Sequence, residues 1–292
     1  MKINQLLLGG TVVMFALSLS FTSCRKPNSS KDEDTSGAED NALADRSFED
    51  IGQISNEASN GGVGSFKMDG GSEGLLSLCA TVSHDTVLKK ITVDFGSANC
   101  LCKDGRYRRG KIYVSYTAGF HNKGYWDSLS NISITTSPTD DYFVNDHQVK
   151  GSKSVTNNGR NSAHHLNWTV VVNGTIVKAN NQGTITWTAN RNLEWLAGAI
   201  TPFNPSDDIY GVTGTASGTS AKGVDFSVTI TKQLIRKVGC PHFTEGTFDF
   251  TPGSKPVRHV DFSYSQAPDP AGSCDDLASV VVNGNTHIVH MK

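Results

Sequence analysis

The side chains able to do chemistry in this chain are six cysteines, nine histidines and a set of acidic pairs, Asp140-Asp141, Asp207-Asp208 and Asp275-Asp276. The densest stretch is NCLCKDGRYRRGKI, residues 99–112, which holds Cys100, Cys102, an Asp-Gly turn signal and five basic side chains. Zinc would need four thiolate or imidazole ligands in a tetrahedron, and Cys79, His84, Cys100 and Cys102 are the available set. The paired C-x₂-C spacing of such sites is missing, so disulfides are expected instead. His164-His165 and His287/His290 lie one and three apart, which on a strand points each pair to opposite faces and prevents chelation. The acidic pairs stand at turns, where Asp is also a turn former, and no calcium-loop spacing surrounds them. Neither a metal nor a cofactor is expected.

Motifs for nucleophilic or nucleotide chemistry are also missing. There is no G-x-S-x-G, H-E-x-x-H, P-loop or dinucleotide fingerprint. No catalytic residue can be named, and a non-catalytic role is favoured. The alternative is a carbohydrate-active hydrolase, whose two facing carboxylates need carry no local motif, or a glycan-binding accessory protein. For the latter, Tyr125, Trp126 and Trp195 are candidates to stack on a sugar ring, because aromatic faces suit amphipathic ligands. Trp168 and Trp187 share strand faces with aliphatic residues and are expected in the core.

The elements that must position these groups are mainly strands. The formal net charge is −2 and charged residues make up 18% of the chain, which offers no clustered positive field for nucleic acid. From residue 75 onward, alternating apolar and polar residues are punctuated by turns about every ten positions, the rhythm of antiparallel β structure. Strands are predicted at 88–95, 184–189, 208–219, 224–231, 246–251, 257–264 and 279–290. A hairpin with its turn at Asn173-Gly174 is predicted within 166–178, because Asn-Gly favours the type I′ turn. One helix is predicted over 41–58, with Leu43, Phe48, Ile51 and Ile54 on a single stripe. The fold class is therefore all-β, an antiparallel sandwich or open meander sheets preceded by a short N-terminal helix.

An order of features recurs. Cys79, a strand ending Val93-Asp94-Phe95, a loop and Cys100/Cys102 precede the strand at 111–114. Cys240, a strand ending Val260-Asp261-Phe262, a loop and Cys274 precede the strand at 279–284. Duplicated cysteine-loop-strand units near 79–116 and 240–290 are expected. A disulfide in each would clamp a long excursion, giving Cys240–Cys274 and Cys79 with either Cys100 or Cys102. The remaining cysteine is a spare thiol. Arg106, Arg108, Arg109 and Lys111 are expected to line an exposed, solvated hairpin.

The chain opens with Met1-Lys2 and a mostly apolar run from Leu6 to Leu19, below the length of a comfortable membrane span. It ends at Phe21-Thr22-Ser23-Cys24, which resembles the lipobox of bacterial lipoproteins. That resemblance implies a signal peptide over 1–23 and lipidation, palmitate included, of Cys24. Residues 24–41 contain no large apolar side chain and are expected to form a disordered tether. Residues 42–74 would be the helix with a Gly-rich linker, and 75–292 the β body. Lys31-Asp32-Glu33-Asp34 resembles the export signal of surface lipoproteins in Bacteroidota. ITVDFGSANCLCKDGRYRRGKI, with the later Gly-Thr-Phe-Asp-Phe-Thr-Pro, Val-Asp-Phe and Val-Asn-Gly, resembles an uncharacterised family of Bacteroidota outer-membrane lipoproteins. The resemblance implies an outer-membrane, lipid-anchored, surface-exposed protein. Its expected partners are the membrane, through the anchor, and a glycan or another envelope protein. It transfers no catalytic residue.

Overall fold

The computed structural model describes residues 34–59, 76, 79–117, 131–136, 141–201, 205–264 and 272–291. In chain order these form a helix α1 (Ser36–Ser59) and sixteen strands. The first eight strands are β1 (Thr81–Asp85), β2 (Lys90–Asp94), β3 (Cys100–Leu101), β4 (Tyr107–Arg109), β5 (Lys111–Tyr116), β6 (Asn131–Thr136), β7 (Tyr142–Val144) and β8 (His147–Arg160). The others are β9 (Leu166–Val177), β10 (Thr184–Ala197), β11 (Ile209–Thr219), β12 (Asp225–Lys237), β13 (Glu245–Pro252), β14 (Arg258–Asp261), β15 (Leu277–Val282) and β16 (Asn285–His290). The fold is all-β apart from α1, and every strand pairing is antiparallel.

The sheet is one long meander, β1-β2-β5-β6-β8-β9-β10-β11-β12-β13-β14-β15-β16, with β3, β4 and β7 branching from β8. Laid flat, thirteen strands spaced about 4.8 Å apart would extend roughly 60 Å. A helix about 10–12 Å wide could not cover such a sheet. Yet α1 bonds to residues of β4, β8, β10 and β12, and Asp34 just before it accepts from Arg258 of β14. The sheet therefore curls, and α1 lies along its concave side. Alternation supplies that side: Ile185, Trp187, Ala189 and Arg191 of β10 are all buried, while Thr184, Thr186, Thr188 and Asn190 are exposed.

The helix starts earlier than its apolar stripe indicates. Residues 36–41, which the sequence assigns to the tether, form its first turns. Asp34 accepts from the backbone N–H of Ser36, an Asx turn leading into the helix. Asp40 and Asn41 are buried, and Asp40 takes Lys178 at 2.7 Å and the Ala221 N–H at 2.8 Å. A stretch without large apolar residues is held here by charge and hydrogen bonds rather than by burial of hydrocarbon.

The expected hairpin turn at Asn173-Gly174 is absent. β9 runs unbroken through both residues, and Gly174 pairs with Gly151 on one side and Trp187 on the other. The reason is contact with the helix. A Cβ at Gly174 would sit 1.9 Å from Cζ of Phe48, whose ring stacks on Trp187 at 5.8 Å. The chain turns instead at Asn180, Asn181 and Gly183, all with positive φ. At the other end, the predicted strand 279–290 is two strands joined at Asn283-Gly284, with φ of 51° and 78°. That is the type I′ chemistry expected of Asn-Gly.

The two Val-Asp-Phe segments do the same local work. Asp94 accepts from Gly96 N–H at 2.8 Å, and Asp261 from Ser263 N–H at 2.7 Å. Phe95 donates to the carbonyl of Gly110 and Phe262 to that of Gly246, both glycines having positive φ. The partner strand follows in the first unit (β5) and precedes in the second (β13). The local motif recurs with its strand order exchanged.

Candidate functional site at the helix–sheet seam

The cysteines close two disulfides, Cys79–Cys100 and Cys240–Cys274, and Cys102 is free and buried. Burial pushes the Cys102 thiol pKa up, against a hydrogen bond from Arg108. His84, the fourth member of the zinc set, instead lies 2.8 Å from the Ala58 carbonyl at the end of α1. Among the described residues, no group of three or more His, Cys, Asp or Glu is placed to hold a metal ion.

Cys24, Tyr125 and Trp126 lie outside the described residues. Trp195 is not available for stacking on a ligand. It is 4% exposed, packs between Trp168 and Tyr210, and donates to Asp208 at 3.1 Å. Its strand continues past the predicted end at residue 189, so Trp195 falls in phase with Trp187 and faces the core.

The basic stretch 106–111 is likewise not a solvated hairpin. Arg108 has no exposed surface. Its Nη1 and Nη2 donate to the two oxygens of Asp104 at 2.7 and 2.6 Å, while Nη2 and Nε reach Asp50 on α1 at 2.7 and 3.3 Å. Arg106 joins Asp50 at 3.3 Å. Burial opposes the charge on Arg108, but Asp104 and Asp50 more than offset it. Burial also works against the Asp104 carboxylate, which Arg108 and Arg106 nevertheless hold below its usual range. Arg109, the neighbour that points outward, pairs with Asp146 and covers the ring of Phe143 at 3.8 Å.

The same pattern extends along α1. Asp40 pairs with Lys178, Asp45 with Arg191 at 3.6 Å, and Glu49 with both Arg236 at 2.8 Å and Lys153 at 3.4 Å. An acidic helix is thus docked on basic residues that project inward from the sheet. Burial depresses the Lys153 pKa to about 8 and that of Arg236 to about 10. These cations were detectable in principle. Arg191 continues the buried series Ile185, Trp187, Ala189, and Lys153 is in phase with Val149 and Val155. The signal is a basic residue on the apolar phase of a strand, opposite a helix rich in Asp and Glu.

The segments that follow the first disulfide and flank the second both reach the middle of this helix. The first brings Asp104, Arg106 and Arg108 to Asp50. The second disulfide joins the segment leading to His242 and Phe243 with the segment leading to Asp275 and Asp276. These line a shallow pocket with Arg46 of α1, Arg236 and the Phe248 and Phe262 rings. Arg46 sits between the loops. Its pKa is lowered to about 10, first by burial and then by Arg106, with Asp50, Asp104 and Asp276 opposing. Burial, then Arg46, keeps His242 below the usual imidazole value. Asp276 is tied to His290 at 2.8 Å and Asp275 caps the Leu277 N–H. Two guanidiniums and the carboxylates of Asp45, Asp275 and Asp276 thus meet above an aromatic floor.

No protein family, curated protein or solved structure matches this chain.

Proposed function

We propose that this chain is a lipid-anchored protein of the outer membrane, displayed at the cell surface, with a non-catalytic binding or structural role. It would be a member of the Bacteroidota lipoprotein family that its motifs resemble. The observation that carries this reading is the combination of two closed disulfides with an N-terminal apolar run ending at Cys24. Disulfides belong to compartments outside the cytosol, and a lipobox cysteine supplies the anchor; several acyl chains at about 0.8 kcal/mol per buried methylene hold firmly. The buried charges support a binding or structural role over catalysis. Asp40, Asp45, Glu49 and Asp50 are each engaged by sheet cations and hold the helix in place. The partner would be a glycan or another envelope protein.

The test is fractionation of cells carrying the wild type and Cys24→Ser, with external protease added to intact cells. The wild type should stay with the outer membrane and be cut from outside, while Cys24→Ser leaves the membrane fraction with its disulfides formed. Membrane retention of Cys24→Ser would overturn the anchor.

A further inference from the structure

The N-terminal end of α1 is held by residues at three turns of the sheet. Lys178, between β9 and β10, meets Asp40 at 2.7 Å, and Ala221, between β11 and β12, donates its N–H to the same carboxylate at 2.8 Å. Lys222 reaches Asp34 at 2.9 Å, and Arg258, at the start of β14, donates to the Asp34 carbonyl. Asp40 is 3% exposed, and a carboxylate so far from water needs its cation.

Next to Lys178 stands a half-buried histidine that none of the contacts described so far involves. The backbone N–H of Ala179 donates to Nδ1 of His147 at 3.0 Å. A ring nitrogen that accepts a hydrogen bond carries no proton, so His147 is neutral in this arrangement, with its proton on Nε2. A proton added at Nδ1 would face the Ala179 N–H donor to donor and put a second cation beside Lys178. The charged groups that face the ring are Lys178 and Asp146, and Asp146 is already engaged by Arg109 and Asn99. Burial, then Lys178, keeps the imidazole below its usual value, with Asp146 opposing.

We infer that His147 is an acid-sensitive latch on the start of α1: its protonation breaks the Ala179 bond, displaces the turn that carries Lys178, and frees Asp40 with the first helical residues. One proton moves onto Nδ1 and no covalent bond breaks. Asn41, which accepts from the Trp187 indole at 2.9 Å, is released in the same turn of helix. Residues 36–41 then join the segment ahead of the fold, adding about 20 Å of extended chain. The inference goes beyond the placement proposed above and stands whether or not Cys24 carries lipid.

The full chain in detergent is followed by hydrogen exchange between pH 7.5 and pH 5, on peptides covering 36–41 and 178–183, beside His147→Asn. Asn places Oδ1 near the position of Nδ1, so it keeps an acceptor there and cannot titrate. After correction for intrinsic exchange, wild-type protection of both segments should fall below about pH 6.5, by up to tenfold per pH unit, as one proton taken up on opening requires. The Asn variant should lack this fall; Asp208 titrates in both proteins and cancels in the comparison. Heteronuclear NMR of the wild-type imidazoles gives a readout that needs no variant: His147 Nδ1 should be unprotonated at pH 7.5 and titrate together with the exchange change. Wild-type protection that does not respond to pH overturns the inference. So does a response that His147→Asn retains, or a proton on Nδ1 at pH 7.5.

Discussion

Arg108 and Asp50 are 58 positions apart in sequence, yet Nη2 of the first lies 2.7 Å from Oδ1 of the second, with no surface of the guanidinium exposed. Removing one partner of such a pair strands the other in a dry site. Asp50→Ala should therefore cost about 3–5 kcal/mol in denaturant unfolding. Replacing Arg106, Arg108, Asp104 and Asp50 together by Met, Met, Leu and Leu should recover most of that loss. A small cost for the single substitution would mean that water reaches the pair.

The two disulfides close loops with sequence separations of 21 and 34. Chain-entropy arithmetic gives about 3 and 4 kcal/mol respectively. Cys240→Ser with Cys274→Ser should lower stability by an amount in that range. Cys102 should resist alkylation in the native state and react without reductant once the chain is unfolded, as peptide mapping would reveal. Ready native labelling at Cys102 would contradict its burial.

The two Asn-Gly pairs should answer differently to alanine. Gly174→Ala drives a methyl into the Phe48 ring and should cost about 1–3 kcal/mol; Phe48→Leu should partly relieve it. Gly284→Ala meets nothing within 4 Å and should cost only the positive φ, about 1 kcal/mol. Equal losses at the two sites would argue against a helix ring pressed on β9.

Asp208 is buried between Trp195 and Tyr210, and burial pushes its pKa up to about 6, despite hydrogen bonds from both rings. The folded state then holds the proton more tightly than the unfolded chain. Stability from this group is present below about pH 4, falls as pH rises through 6, and is constant above. Asp208→Asn should remove that slope and stabilise the protein by about 3 kcal/mol at pH 7.5 relative to pH 4. Parallel pH profiles for wild type and variant would show that the carboxyl titrates normally.

The strands were legible because alternation is local, and Ile91, Val93, Trp168 and Trp187 are buried as their phase requires. The disulfide framework was legible up to one ambiguity. Cys100 and Cys102 are two apart, so strand period places both on one face and cannot choose between them. What escaped detection is set by tertiary contact. Gly174 is a glycine because of Phe48, and residues 36–41 are helical because the sheet neutralises Asp40 and holds Asn41. The solvated reading of Arg106 and Arg108 failed because their counterions lie outside the local stretch, on α1, at a distance that no spacing rule encodes.

The central claim, a chain anchored by lipid at Cys24, is tested most directly by the intact mass of the protein extracted from its native membrane. The account predicts a chain beginning at residue 24 and carrying acyl groups on that cysteine. A mass matching a chain that retains Met1, or one that begins elsewhere without acyl groups, would contradict it.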